Sequence, residues 1–242
     1  MSIHRRDLLV RGAAGGAALL SAHMAAAAPD SRATRPRIAP GVAKHTAVPL
    51  PFKPGSLTGI SEKMITYHHD RNYGGAVKNL NNIEADLAGL KPTSPGYLVA
   101  GLRERELLFA NSITLHEHYF ANLGGSGKRS GALDARLATD SGAATWESAF
   151  HSDALALGGG SGWVVLAFNL NDGGLRIAQA NNHTQTLAFG VPLLVLDMYE
   201  HAYAMDYGPD HAAYVEAFFK NVAWDVVEAR YDRALKAYAA LA

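Results

Sequence analysis

The chain has 242 residues, 48% of them hydrophobic, and its 22 Lys and Arg balance 22 Asp and Glu. That is enough apolar material to bury a real core in one or two compact units, while a neutral balance without any Lys/Arg run gives nucleic-acid binding little support. The absence of cysteine excludes disulfides, a thiolate nucleophile and Cys-ligated zinc or clusters, so any metal must be held by nitrogen and oxygen donors.

Residues 1–28 read as an export signal. His4-Arg5-Arg6-Asp7-Leu8-Leu9-Val10 precedes a modestly apolar, Ala/Gly-rich stretch that closes on Ala25-Ala26-Ala27-Ala28-Pro29, a small-residue cleavage pattern. The paired arginines favour the twin-arginine type over an ordinary secretory signal. Glycines dilute the apolar run and it is short for a span. The processed protein is therefore expected in the periplasm or outside a bacterial cell, near neutral to weakly acidic and without a stable membrane anchor.

Residues 29–54, rich in Pro, Ala and Arg, read as an irregular arm. A helical hairpin domain is expected over 55–124: one helix over 61–90 with Ser61 as N-cap, a break at Lys91-Pro92-Thr93-Ser94-Pro95-Gly96, and a second long helix ending at Leu123. The Gly-rich run Gly124 to Gly131 reads as a flexible linker and the domain boundary. Over 132–242 a mixed domain follows, with a helix around 143–157 and strands at 163–170 and 175–180 joined by the tight turn Asn171-Asp172-Gly173-Gly174. A third strand ends before Asp197, and two helices close the chain. The plan is α+β: a helical hairpin, then a three-stranded antiparallel sheet with surrounding helices.

Asp197-Met198-Tyr199-Glu200-His201-Ala202-Tyr203 is the most informative stretch. It follows the apolar Val191-Pro192-Leu193-Leu194-Val195-Leu196, so Asp197 sits at a strand end where a side chain can leave the sheet. A helical turn after it would put His201 on the same face. A hydrogen-bonded Asp/His pair would show the same spacing. His68 and His69 in the first helix, and His116 and His118 in the second, supply further imidazoles that could converge on one ion. His69, His118, His151 and His211 are read as surface or hydrogen-bonded residues.

Taken together these segments resemble the iron/manganese superoxide dismutases. The heptapeptide is similar to that family's D-x-W-E-H-A-Y signature with Tyr199 in the Trp place. The resemblance runs from about Pro49 to the C-terminus and includes His68-His69, His116 to Phe120, Gly160-Ser161-Gly162-Trp163, Tyr214 to Phe218 and Trp224-Asp225. It implies His68, His116, Asp197 and His201 as ligands of one iron or manganese ion, and a homodimer in which Glu200, beside Tyr203, reaches the ligand histidine of the partner subunit.

Outer positions depart from the family. Asn72 and Ala76 stand where it has His and Tyr, and Ala204 stands where it has a second Tyr, which implies a wider and less protic substrate neck. Tyr207 to His211 replace an Arg-bearing turn. The Gln or His that bonds the metal-bound solvent falls on Asn182, with His183 one residue away. Ser112 occupies the alternative Gln position, and Phe120 and Val165 replace aromatic wall residues. Asn182, His183 and Asn72 are thus the candidate catalytic residues. The resemblance implies conversion of superoxide to dioxygen and hydrogen peroxide with altered efficiency. The alternatives are an oxidase or peroxidase acting on a larger organic substrate and a non-catalytic metal-binding protein.

Overall fold

A computed structural model describes residues 44–241 except 130, 142, 158, 159 and 186. The expected export signal at 1–28 and most of the arm at 29–54 lie outside these described residues.

Ser61 starts the first helix as its side chain accepts from the Met64 N–H at 3.1 Å, satisfying one donor that the first turn leaves free. The single helix expected over 61–90 is three pieces in line: α1 (Glu62–Tyr67), a π-helical turn (His68–Tyr73) and α2 (Gly74–Ala88). The wide turn begins at His68. Such bulges insert one residue into the helix and rotate the side chains after it, and they recur at functional sites. After the Pro-bearing break, α3 (Gly96–Ala121) runs antiparallel to α2 as the other arm of the hairpin.

The Gly-rich segment that follows is held, not loose. Gly125 N–H donates to Asn221 O at 2.9 Å and Gly127 N–H to Val222 O at 3.0 Å. A Cβ on Gly125 would stand 2.3 Å from the Ala223 Cα, so only glycine permits this approach. Sequence composition reports backbone freedom, and here that freedom serves close packing. Next come α4 (Ala132–Ser141), which the sequence reading did not anticipate, and α5 (Ala143–Ala156). The α4 start is capped from a distance by Glu228, whose carboxylate accepts from Ala132 and Leu133 N–H.

The strands β1 (Trp163–Asn169), β2 (Leu175–Ala180) and β3 (Gly190–Asp197) form an antiparallel sheet of order β2-β1-β3. Trp163 pairs with Ala180 on one side and Asp197 on the other. Pro192, which cannot donate to the ladder, coincides with the register shift between Leu166 and Ala167. The two sheet faces bury different partners. Trp163 points toward His116 of α3, whereas Phe168, of opposite parity, meets Tyr231 and Tyr238. After a 3₁₀ turn (Glu200–Ala202) the chain ends in the short α6 (Ala204–Tyr207), α7 (His211–Lys220) and α8 (Trp224–Leu241), which carries both of those tyrosines. No helix among the described residues is long and apolar enough to cross a membrane.

The outer edge of β3 is tied to the end of α3 by one buried side chain. Asn122 Oδ1 accepts from Val195 N–H at 3.0 Å and Nδ2 donates to Val195 O at 3.2 Å, so the carboxamide acts as a missing strand. Buried Arg230 donates to the same oxygen at 3.2 Å and to Leu193 O at 2.6 Å. Asn122→Ala leaves several of these groups unpaired at about 1–3 kcal/mol each. We expect it to lower the unfolding free energy of the metal-free protein by about 3 kcal/mol in urea titrations. A loss under about 1 kcal/mol would show that β3 does not depend on this contact.

Candidate metal centre

Four side chains from four separate places converge. His68 opens the π turn, His116 lies on α3, Asp197 ends β3 and His201 lies in the 3₁₀ turn beyond it. His68, His116 and Asp197 are buried and His201 is partly buried. Their donor atoms all lie within 4.8 Å of one another. The Nε2 atoms of His68, His201 and His116 stand 3.0, 3.3 and 3.6 Å from Asp197 Oδ2.

Asp197 and His116 are oriented by contacts behind them. Asp197 Oδ1 accepts from Tyr199 N–H at 2.8 Å, which leaves Oδ2 for the cluster. Tyr214 donates to the Asp197 carbonyl at 2.8 Å and lies 3.1 Å from the Tyr119 hydroxyl. His116 Nδ1 donates to the Ser112 carbonyl at 2.7 Å, one turn back on its own helix. A neutral imidazole with its proton on Nδ1 presents a bare Nε2. That Nε2 is buried and has no hydrogen-bond partner.

The electrostatics agree. Burial, reinforced by the charge of His68, pushes His116 down to about 3, and burial likewise lowers His68. Burial alone would raise the Asp197 carboxyl, but His201, through charge and hydrogen bond, and His68 outweigh it and hold the group well below the usual carboxylate range. The result is a buried anion beside two imidazoles, His68 and His116, whose neutral forms burial favours, an arrangement that is costly without a cation. Donors about 2.1 Å from an ion stand roughly 3 to 3.5 Å from one another, which is the spacing found around Oδ2. Three imidazoles and a carboxylate suit iron or manganese.

Rings seal the cluster. Phe120 and Tyr119 lie 5.0 and 5.1 Å from His68, and Trp163 lies 5.0 Å from His116. Tyr73, fully buried, packs 6.2 Å from His116, and its hydroxyl accepts from Val48 N–H and donates to Glu117, both at 2.8 Å. Tyr199, half-buried and pushed up to about 12 by burial and the nearby Asp197 charge, stacks between His183 and His201.

Of the remaining candidates, His183 reaches this cluster and Asn182 does not. The His183 ring lies 6.2 Å from that of His116, and its Nδ1 accepts from Trp163 Nε1–H at 3.0 Å. Asn182 is exposed and closes an Asx turn onto Thr184 N–H at 2.8 Å. Asn72 is half-buried in the π turn, and Ala204 is exposed. Ala76 is 4% exposed, so its methyl is covered by packing and does not border an open neck. Glu200 is exposed, whereas Tyr203 is buried against Tyr214. His69, His118 and His211 are occupied by the carbonyls of Val48, Thr114 and Pro209, and His151 stacks on Phe219. Sequence reasoning missed the positioning parts of the Ser112 carbonyl and the Tyr214 hydroxyl; only the i−4 spacing of Ser112 from His116 offered a signal.

Comparison with known proteins agrees with this geometry. Residues 129–230 match the family model for the C-terminal domain of iron/manganese superoxide dismutases. The chain is 47% identical over 190 residues to an iron superoxide dismutase of Cupriavidus metallidurans, covering 78% of this chain and 96% of that protein. It is 36% identical to an iron superoxide dismutase of Aquifex aeolicus, covering 78% and 92%, and 34% identical to a manganese superoxide dismutase of Halobacterium salinarum, covering 79% and 96%.

The lowered His116 and His68 set a pH dependence for the metal-free protein. Their folded values lie below the unfolded value of 6.5, so the unfolded chain binds more protons just under that pH. Stability is full above pH 6.5 and falls as pH drops toward the folded value of about 3 for His116, by about 1.4 kcal/mol per pH unit, with His68 acting in the same direction. Denaturant titrations of metal-free protein between pH 7.5 and 4.5 check this, and a flat profile would show that these imidazoles are not buried neutral.

Proposed function

The chain belongs to the iron/manganese superoxide dismutase family, and on that premise we propose that it converts superoxide to dioxygen and hydrogen peroxide at His68, His116, Asp197 and His201. The observation that carries the reading is the convergence of three imidazole Nε2 atoms on one buried carboxylate oxygen. The named relatives favour it over an oxidase or peroxidase acting on a larger organic molecule.

Held by His68, His116, Asp197 and His201, an iron or manganese ion would supply the one-electron redox chemistry that dismutation of superoxide needs. The protein's part is binding, orientation and protons. Asp197, kept ionised, offsets positive charge, and the surrounding rings exclude water and so strengthen that attraction.

His183 is the proposed proton-bearing side chain. Trp163 Nε1 can only donate, so His183 Nδ1 must accept. The neutral ring therefore carries its hydrogen on Nε2. A small anion entering beside His116 would find a donor held by packing on Trp163 and Tyr199.

Two finer readings accompany this one. The dimer expected from the sequence is supported by Glu200, which is exposed next to His201 and free to approach a partner's imidazole; Glu200→Ala should shift sedimentation toward monomer and weaken metal retention, and an unchanged dimer would refute the contact. Export through a twin-arginine route, with residues 1–28 removed, rests on Arg5-Arg6 and the Ala-rich run that follows.

The decisive test compares superoxide consumption by the metal-loaded protein with that of a metal-free control. His68→Ala and His201→Ala should lose most bound metal, and full retention would overturn the ligand set. His183→Ala should keep its metal and lose about 10²-fold in turnover, the low end for one positioned proton donor. Wild-type turnover in that variant would remove His183 from the mechanism.

A further inference from the structure

Away from the metal centre, a cavity of about 260 Å³ lies between α3 and the sheet. Its cause is legible in the pairing register. Trp163, Val165 and Ala167 lie on one face of β1, and their cross-strand partners on β2 include Ala180 and Ala178. The Trp163 indole fills the end of this face nearest His116. Past it this face of β1 and β2 offers Val165, Ala167, Ala178 and Ala180, with Gln179 also at the lining, and α3 answers with Thr114 and Leu115. Neither wall reaches the other.

The lining has a definite chemistry. Leu115, Val165, Ala167 and Ala180 are buried and form an apolar floor, while Asn111 and Leu187 are partly exposed at the rim. Among the described residues, none that lines the cavity carries a charge or an imidazole. Thr114 Oγ1 already donates to Ala110 O at 3.0 Å, which leaves the Asn111 carboxamide as the polar handle on the helix side. A second observation marks the same edge. Phe189, between the lining residues Leu187 and Gly190, has φ 56° and is 69% exposed. A bulky residue in the left-handed region is a true outlier, and such strain clusters at binding sites. It is held there by the bonds Leu170 N–H to Phe189 O and Gly190 N–H to Leu187 O, both 2.9 Å.

We propose that this cavity binds a small neutral aromatic molecule carrying one hydrogen-bonding substituent. An apolar cavity of about 150 Å³ is enough for benzene, so 260 Å³ suits a fused bicyclic ring. The uncharged lining rejects carboxylates and ammonium groups, since nothing there would repay their desolvation. A helix facing a sheet leaves a slab between two fixed layers, which favours a flat ligand. The site abuts Trp163 through its pairing partner Ala180, so an occupant lies one side chain from the His116 wall of the metal centre.

Calorimetry on the full, metal-loaded protein tests this with 2-naphthol as probe and 2-naphthoate as its charged counterpart. The expected result is saturable one-to-one binding of 2-naphthol with a Kd below about 1 mM, with 2-naphthoate at least tenfold weaker. Val165→Trp, which fills the floor, should weaken 2-naphthol binding at least tenfold without lowering Tm. Ala178→Leu fills the same space from the neighbouring strand and serves if the Trp variant fails to fold. No binding by the wild type, equal binding of naphthol and naphthoate, or unchanged affinity in folded filled variants would each overturn the proposal.

Discussion

One buried carboxylate organises this protein. Asp197 has no exposed surface, and an ionised group in that position is tolerated only when charge and hydrogen bonds compensate it. Its two oxygens and its carbonyl are each assigned: Oδ1 to the Tyr199 N–H, the carbonyl to the Tyr214 hydroxyl, and Oδ2 to the three imidazoles. Placing the acid there is a matter of register. Asp197 pairs with Trp163 across the β1 and β3 ladder, and a slip of one residue would turn it to the opposite face, among the side chains that meet α5 and α8. The Asn122 carboxamide, bonded to both polar groups of Val195, fixes β3 two residues upstream of the acid.

The helical side solves a complementary problem. His68 must enter the cluster from one arm of the hairpin and His116 from the other, with both rings turned toward a strand end. The π turn supplies the first rotation at His68, and the Ser112 carbonyl fixes the second ring by taking its Nδ1 proton. Tyr119 and Phe120, on α3 just beyond His116, then close over His68. The dry setting that makes Asp197 costly alone is what makes its attraction for a cation strong.

The division between what could and could not be read from sequence follows from this arrangement. The hairpin, the three strands and their turn were legible because apolar periodicity and turn residues are local signals. The candidate ligands were legible because each lies in a motif whose residue order is a linear property. Which of Asn182 and His183 lies nearer the cluster was not legible, since a loop after a strand carries no periodicity to set its phase; in three dimensions His183 packs against the Trp163 indole and the Tyr199 ring. Gly125 looked like part of a flexible linker because composition records permitted backbone angles and not the neighbouring Ala223 whose close approach requires glycine. Ala76 looked like an opening because a smaller side chain suggests space, yet neighbouring groups cover it and leave it 4% exposed.

That last point bears on the proton path proposed above. Tyr73, the large polar ring nearest His116 on the hairpin side, accepts from Val48 and donates to Glu117, so its hydroxyl proton is directed away from the cluster. Tyr119 and Tyr214 are bonded to each other in the interior, and burial raises both of their hydroxyl pKa values, which removes them as acids at neutral pH. Tyr199 is shifted upward as well. On the sheet side the His183 ring lies 6.2 Å from that of His116, and its Nδ1 is engaged by Trp163. With Asn72 and Ala76 on the hairpin and Ala204 at the start of α6, the proton path proposed above rests on the loop after β2, and the packing of Trp163 against both His116 and His183 links that loop to the candidate ligands.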